Sequence, residues 1–148
     1  MALFAKLSAD NIVENIIVVN DNDALTEAAG IAFCQNHIGD NSSVWKQTWK
    51  QDMYTPRASG QRGSYAGIGM TYMSGVRTLG VASTDIFIPT QPYPSWSIGI
   101  NTANWYPPDP PGSIPALTDS EYNAGKMYIW NESNYNSNPS TAWVLTSP

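Results

Sequence analysis

The chain has 148 residues, a formal net charge of −5 and a charged fraction of only 13%, about half the usual share for a globular domain. Its polarity comes from Asn, Ser, Thr and Gln instead. That balance excludes a broad nucleic-acid-binding role, which needs a basic surface to neutralise phosphate, and suits a surface that sits against other protein.

Residues 2–19 read as a β-hairpin, with ALFAKLS and NIVENIIVVN as arms and SADN as the turn. The second arm alternates two faces that carry one charge and one amide between them, so it is expected to be a central strand buried on both sides. Asp21, Asn22 and Asp23 supply N-cap chemistry for a helix over DALTEAAGIAFCQNHIG, which Gly39 stops. Leu25, Ala29, Ala32 and Phe33 form a stripe at helical spacing and are expected to pack on the sheet. VWKQTWK (44–50) follows as a strand. The first 50 residues thus predict β-β-α-β.

Residues 52–64 read as a loop, 65–73 (YAGIGMTYM) as a strand, 74–84 as a turn or loop, and 85–89 (DIFIP) as a short strand closed by Pro89. Of the seven basic residues, Lys46, Lys50, Arg57, Arg62 and Arg77 gather in this middle region with only Asp52 opposing them. A footprint for an acidic partner and Arg side chains lying over aromatics both fit that cluster.

The last third holds a weak internal repeat. PSWSIGINTANWYPP (94–108) and KMYIWNESNYNSNPSTAWVLTSP (126–148) each place a Trp on an apolar strand, a polar turn, and a second Trp on the return strand. They predict two short Trp-clasped hairpins. Trp96 and Trp105 are expected to face each other or the body, and the polar turn at 99–104 to face a partner. The proline-rich 107–125 between the hairpins is expected to be an extended linker. The expectation is an α+β chain: a small, mainly antiparallel sheet with one packed helix in a body at 1–89, then a Pro/Trp-rich extended region at 90–148 with short hairpins.

No constellation selects an enzyme, a cofactor or a metal. Cys34 is the only cysteine and His37 the only histidine. A dyad between them would make the thiol reactive near neutral pH, whereas burial in the helix would leave it inert. The Asp21-Asn22-Asp23 run lacks the glycine and distal Glu of a calcium loop. The start is not a signal peptide, and no stretch approaches the roughly 20 apolar residues of a membrane helix. The positive signal is aromatic: six Trp and eight Tyr. Trp96, Trp105, Trp130 and Trp143, with Tyr93 and Tyr106, are candidates for an interface or a sugar-stacking platform.

The order NIVENIIVVND, TEAAGIAF, WKQT, YAGIGMTY, FIPTQPYPSW and YIWNE with a WV ending resembles small virion structural proteins of tailed bacteriophages infecting marine bacteria and cyanobacteria. Two loops depart from that pattern. The segment 73–85 is longer and poorer in acid, and the final clasp is longer. The resemblance implies a non-enzymatic virion protein made in the host cytoplasm, a minor or decoration protein of the capsid. Its partners would be other virion proteins, capsid or tail subunits, or copies of itself. The alternatives are a tail, fibre or baseplate accessory, and a carbohydrate- or receptor-binding module recognising a host surface glycan.

Overall fold

A computed structural model describes residues 1–50, 61–75, 85–99 and 102–148. The fold is α+β, built from small antiparallel sheets and a few helices, one of them substantial. It divides into two compact units, Met1–Thr90 with Ile98–Asn104, and Gln91–Ser97 with Trp105–Pro148.

In the first unit β1 (Ala2–Leu7) and β2 (Val13–Val19) form the expected hairpin, and β3 (Val44–Thr48) pairs antiparallel on the other side of β1. The strand order is β2-β1-β3. The central strand is therefore β1, and the expectation that the second arm is central is corrected. The sequence NIVENIIVVN is apolar on both faces, but Glu14, Asn15 and Val18 are exposed along an edge.

Helix α1 (Glu27–Ile38) is capped by Thr26, whose Oγ1 accepts from Ala29 N–H at 3.1 Å, and ends on Gly39 at φ 71°. The acidic run at 21–23 makes a separate 3-10 turn capped by Asn20. The inward face of α1 is the reverse of the expected one. Gly30 and Cys34 are buried, whereas Ala29, Ala32 and Phe33 are exposed, and Leu25, expected on the same stripe, lies ahead of the Thr26 cap and is 81% exposed. The smallest side chains face the sheet because the ring of Phe4 stands against the helix backbone at Gly30.

Alternation along β1 gives the sheet two cores. Phe4 joins Val19, Cys34 and Trp45 beneath α1. Ala5 and Leu7 join Val13, Ala66, Tyr72 and Phe87 on the opposite face. That second layer is the hairpin of β4 (Thr71–Met73) and β5 (Ile86–Ile88). The strand expected over 65–73 is confined to its last three residues. Residues 65–70 instead turn back through Gly69 at φ 88°, and Gly67 N–H donates to Met70 Sδ at 3.0 Å. The expected loops fall partly, at 52–60 and 76–84, outside the described residues.

Further along, β6 (Ser97–Ile98) and β7 (Trp105–Tyr106) form a two-stranded ribbon. In the second unit the stretch expected to be a wholly extended linker contains α2 (Asp119–Asn123). A capping box starts it: Thr118 Oγ1 accepts from Glu121 N–H, and the Glu121 carboxylate accepts from Thr118 N–H. β8 (Met127–Trp130) pairs antiparallel with β9 (Trp143–Thr146), with Trp130 opposite Trp143. Between them lie α3 (Glu132–Ser137), capped by Asn131, and a 3-10 turn at Pro139–Thr141.

Candidate interaction surfaces

The second unit is held by tryptophans. Register places Trp130 and Trp143 on one face of the β8–β9 hairpin, with ring centroids 5.2 Å apart and planes at 82°. Trp96 closes the group edge-on, 5.5 Å from Trp130 and 6.1 Å from Trp143. Tyr93 lies 5.7 Å from Trp96, and Tyr135 of α3 lies 5.4 Å from Trp130. Tilted and edge-to-face contacts of this kind add about 0.5–1.5 kcal/mol per pair to the burial itself. The polar ends are organised too. Trp130 Nε1–H donates to Glu132 at 2.8 Å, and Trp143 Nε1–H donates to the Gly112 carbonyl at 2.9 Å.

Glu132 is the residue that sequence reasoning missed here. Its carboxylate also accepts from Ser95 N–H at 3.1 Å and Ser95 Oγ–H at 2.8 Å. The Trp130 indole donor, helped by both Ser95 donors, holds Glu132 below the usual glutamate range. The signal was present as the spacing of Glu132 two residues after Trp130 in YIWNE.

The structure thus brings together four of the six aromatic residues singled out from the sequence: Tyr93, Trp96, Trp130 and Trp143. Trp130 is only 4% exposed, so it offers no open ring face to a ligand. Trp96 has Tyr93, Trp130 and Trp143 as ring neighbours. On β7, Trp105 is half-buried and Tyr106 is 38% exposed. In the turn at 99–104, expected to face a partner, Gly99, Thr102 and Asn104 are half-buried. Ala103 is buried, and Gly99 N–H donates to the Asn104 carbonyl. Residues 100 and 101 lie outside the described residues.

On the outer face of the same hairpin, Met127 and Ile129 are 56% and 45% exposed. They alternate with Tyr128 and Trp130, which turn to the other side. A second apolar face lies on α1, where Ala29, Ala32 and Phe33 form an exposed stripe, and Leu25 is exposed just ahead of the Thr26 cap. Phe33 stacks its ring parallel to that of His37. Among the ionisable residues of α1, Glu27 is turned to the sheet edge and paired with Arg62 at 2.6 Å. The stripe itself carries no charge.

The basic cluster resolves into packing where it is described. Arg62 and Lys46 both lie over the Tyr72 ring, at 5.8 and 5.4 Å from its centroid. Arg62 also donates from Nε to Tyr72 Oη, and Tyr72 Oη–H donates to Asp85. Burial, and then the bond to Asp85, push the Tyr72 phenol up to about 12. Lys50 is exposed, and Arg57 and Arg77 lie outside the described residues.

Cys34 is fully buried, and burial pushes its thiol up to about 11. His37, one turn further along the helix, is exposed and stacked on Phe33. Among the described residues no group of three or more His, Cys, Asp or Glu side chains is placed to hold a metal ion, and no helix is long and apolar enough to cross a membrane. No protein-family model, curated protein or solved structure matches this chain.

Proposed function

We propose that this chain is a non-enzymatic virion structural protein of a tailed phage, a minor capsid or decoration protein that contacts neighbouring subunits. The observation that carries the assembly role is the exposed, uncharged stripe of α1 (Ala29, Ala32 and Phe33), with Leu25 exposed just before its cap. A contiguous apolar face left in water is the usual mark of a surface that another protein covers. Interface centres are depleted in charge and enriched in aromatic residues and Met. The hairpin face of Met127 and Ile129 in the second unit has the same character. Assignment to a phage particle rests on the resemblance of YAGIGMTY, FIPTQPYPSW and YIWNE to virion proteins. A decoration protein stabilises the assembled shell by mass action, binding it and not its dissociated subunits.

A glycan platform is less well supported by the same geometry. Three of the four candidate tryptophans pack against one another, and stacking on a sugar requires an open ring face.

The test is location. Particles banded on a density gradient from the source phage are analysed by mass spectrometry and gold labelling with an antibody to this chain. Capsid labelling is expected, and labelling confined to the tail would replace the capsid assignment with the tail one. A chain recovered only in the unassembled fraction of the lysate would refute a virion role. Phe33→Glu is expected to keep the fold, since Phe33 is outward, yet to remove the protein from particles.

A further inference from the structure

The two edges of the three-stranded sheet are treated differently. Antiparallel ladders turn alternate residues inward and outward. On β3 the outward Gln47 has its N–H accepted by the Glu27 carboxylate at 3.0 Å. Its carbonyl accepts from Arg62 at 3.1 Å. At the start of β3 the Ser43 carbonyl accepts from Gln35 Nε2 at 2.9 Å. Glu27 and Gln35 are eight residues apart on α1, about 12 Å, and Ser43 and Gln47 are four apart on the strand, about 13 Å. The helix therefore lies along β3 and closes its edge with side chains at both ends.

The β2 edge has no such closure among the described residues. Only its start is occupied, where Val13 N–H donates to the Met70 carbonyl and Gly69 N–H donates to the Val13 carbonyl. Beyond it, Ile16 N–H faces away from β1 and donates to the side chain of its own neighbour, Asn15, at 2.8 Å. By alternation Val18 also faces out, and its side chain is 51% exposed. Residues 15–19 read NIIVV: uncharged, β-branched and without proline, the composition of an edge that accepts another strand.

We infer that the open β2 edge pairs antiparallel with β2 of a second copy of this chain. The register follows from which groups point outward. A two-fold axis through Ile17 sets Ile16 opposite Val18 of the second copy and Val18 opposite Ile16. Each outward residue then exchanges both backbone hydrogen bonds with its counterpart. Ile17 faces Ile17, Asn15 faces Val19 and Glu14 faces Asn20, so no like charges stand directly opposite each other, although each chain carries a net −5 and Asp21 follows Asn20. The axis also falls in the middle of 15–19, clear of the contact between Val13 and Met70. Two three-stranded sheets join into one, with β3 and its sealed edge at either end. This geometry does not depend on the virion assignment.

The test begins with the unmodified protein. In dilute solution, amide exchange along β2 is expected to alternate, fast at Ile16 and Val18 and slow at Ile17 and Val19. Raising the concentration until about nine chains in ten are paired should slow exchange at Ile16 and Val18 about tenfold, while sedimentation shifts from monomer to dimer. Ile17→Cys should then form a disulfide-linked dimer on mild oxidation, because opposed residues of a non-hydrogen-bonded pair lie about 4.5 Å apart at Cα. Val18→Cys, although more exposed, should not. A chain that stays monomeric with Ile16 and Val18 unprotected at every concentration overturns the inference. So does cross-linking that favours position 18, or open-ended aggregation in place of a dimer.

Discussion

Gly30→Ala sets two effects of known sign against each other. Alanine is the better helix former by about 1 kcal/mol in a helix interior, so propensity alone makes the variant more stable. Packing opposes it. A Cβ at Gly30 would lie 2.8 Å or closer to three ring carbons of Phe4, where carbon atoms at rest sit about 3.5–4.0 Å apart. The ring has nowhere to retreat, because Phe4 is fully buried against Val19, Cys34 and Trp45. Relief requires α1 to lift by about 1 Å, which opens the core under it. Overpacking of this kind costs about 1–3 kcal/mol. The closest approach, to Phe4 Cζ, is far inside van der Waals contact and puts the cost at the upper end of that range. After the propensity gain the net expectation is a loss of about 2 kcal/mol, seen as a melting temperature roughly 8–16 °C lower for a unit of this size. Urea denaturation followed by far-UV circular dichroism measures it. Ala29→Gly, on the exposed stripe, is the control and should lose about 1 kcal/mol through propensity alone. Combining Gly30→Ala with Phe4→Leu should recover about 1 kcal/mol relative to the sum of the single changes. A Gly30→Ala protein as stable as the parent, or more so, would refute the close approach of Phe4 to the helix.

Four further outcomes follow from named contacts. Cys34, buried and with its thiol pushed up to about 11, should react with a thiol reagent at pH 8 only as fast as the native state opens; rapid stoichiometric labelling of folded protein would contradict this. Tyr72 has a folded pKa raised from 10 to about 12; its contribution to stability is complete below pH 10 and is lost as pH rises towards 12. An alkaline loss of stability in that window, absent from Tyr72→Phe, is the expected result. Arg62→Met leaves Glu27, the Gln47 carbonyl and the Tyr72 hydroxyl without a shared donor; a loss of about 2–3 kcal/mol in denaturation is expected, and a neutral effect would show the network to be dispensable. Glu132 has a depressed pKa, so the second unit should lose stability as pH falls through that value, below the ordinary 4.5, and Glu132→Gln should flatten this dependence in the near-ultraviolet signal of the tryptophans.

The elements that were legible in the sequence are those whose signals are local. Alternation in residues 2–7 and 13–19, the turn around Asn11 and the stop at Gly39 each act within a few residues, and each appears where it was expected. The capping box at Thr118 and Glu121 was equally local, and was obscured by the prolines around it. The strand order was not legible. NIIVV is apolar on both faces whether it is central or at an edge, and only the placement of β3 beside β1 decides between them. The aromatic group of the second unit was half legible. The pairing of Trp130 with Trp143 follows from a hairpin register, whereas bringing Trp96 to them takes a contact more than thirty positions along the chain.

The stripe on α1 carries a more general point about periodicity. Leu25, Ala29, Ala32 and Phe33 repeat at helical spacing, and so do Gly30, Ile31 and Cys34 on the opposite side. Spacing alone identifies a face without saying what lies against it. Volume decides the matter here. The sheet presents Phe4 and Trp45 to the helix, large rings that fill the interlayer space by themselves. The face that fits over them is therefore the one with Gly30 and Cys34, with Ile31 half-buried beside them, and Phe33 is turned outward. In a chain with ordinary surface charge, an outward face would be polar on its remaining positions. With 13% charged residues and Glu27 turned to the β3 edge, the outward face of α1 has only Asn36 and His37 as exposed polar side chains beside Ala29, Ala32 and Phe33. Such a face is tolerable in a protein at low concentration or in one whose partner covers it, and the same composition extends to NIIVV on β2. Charging the two surfaces separately distinguishes their roles: Phe33→Glu should leave concentration-dependent pairing intact, while Val18→Lys should abolish pairing without changing the helix.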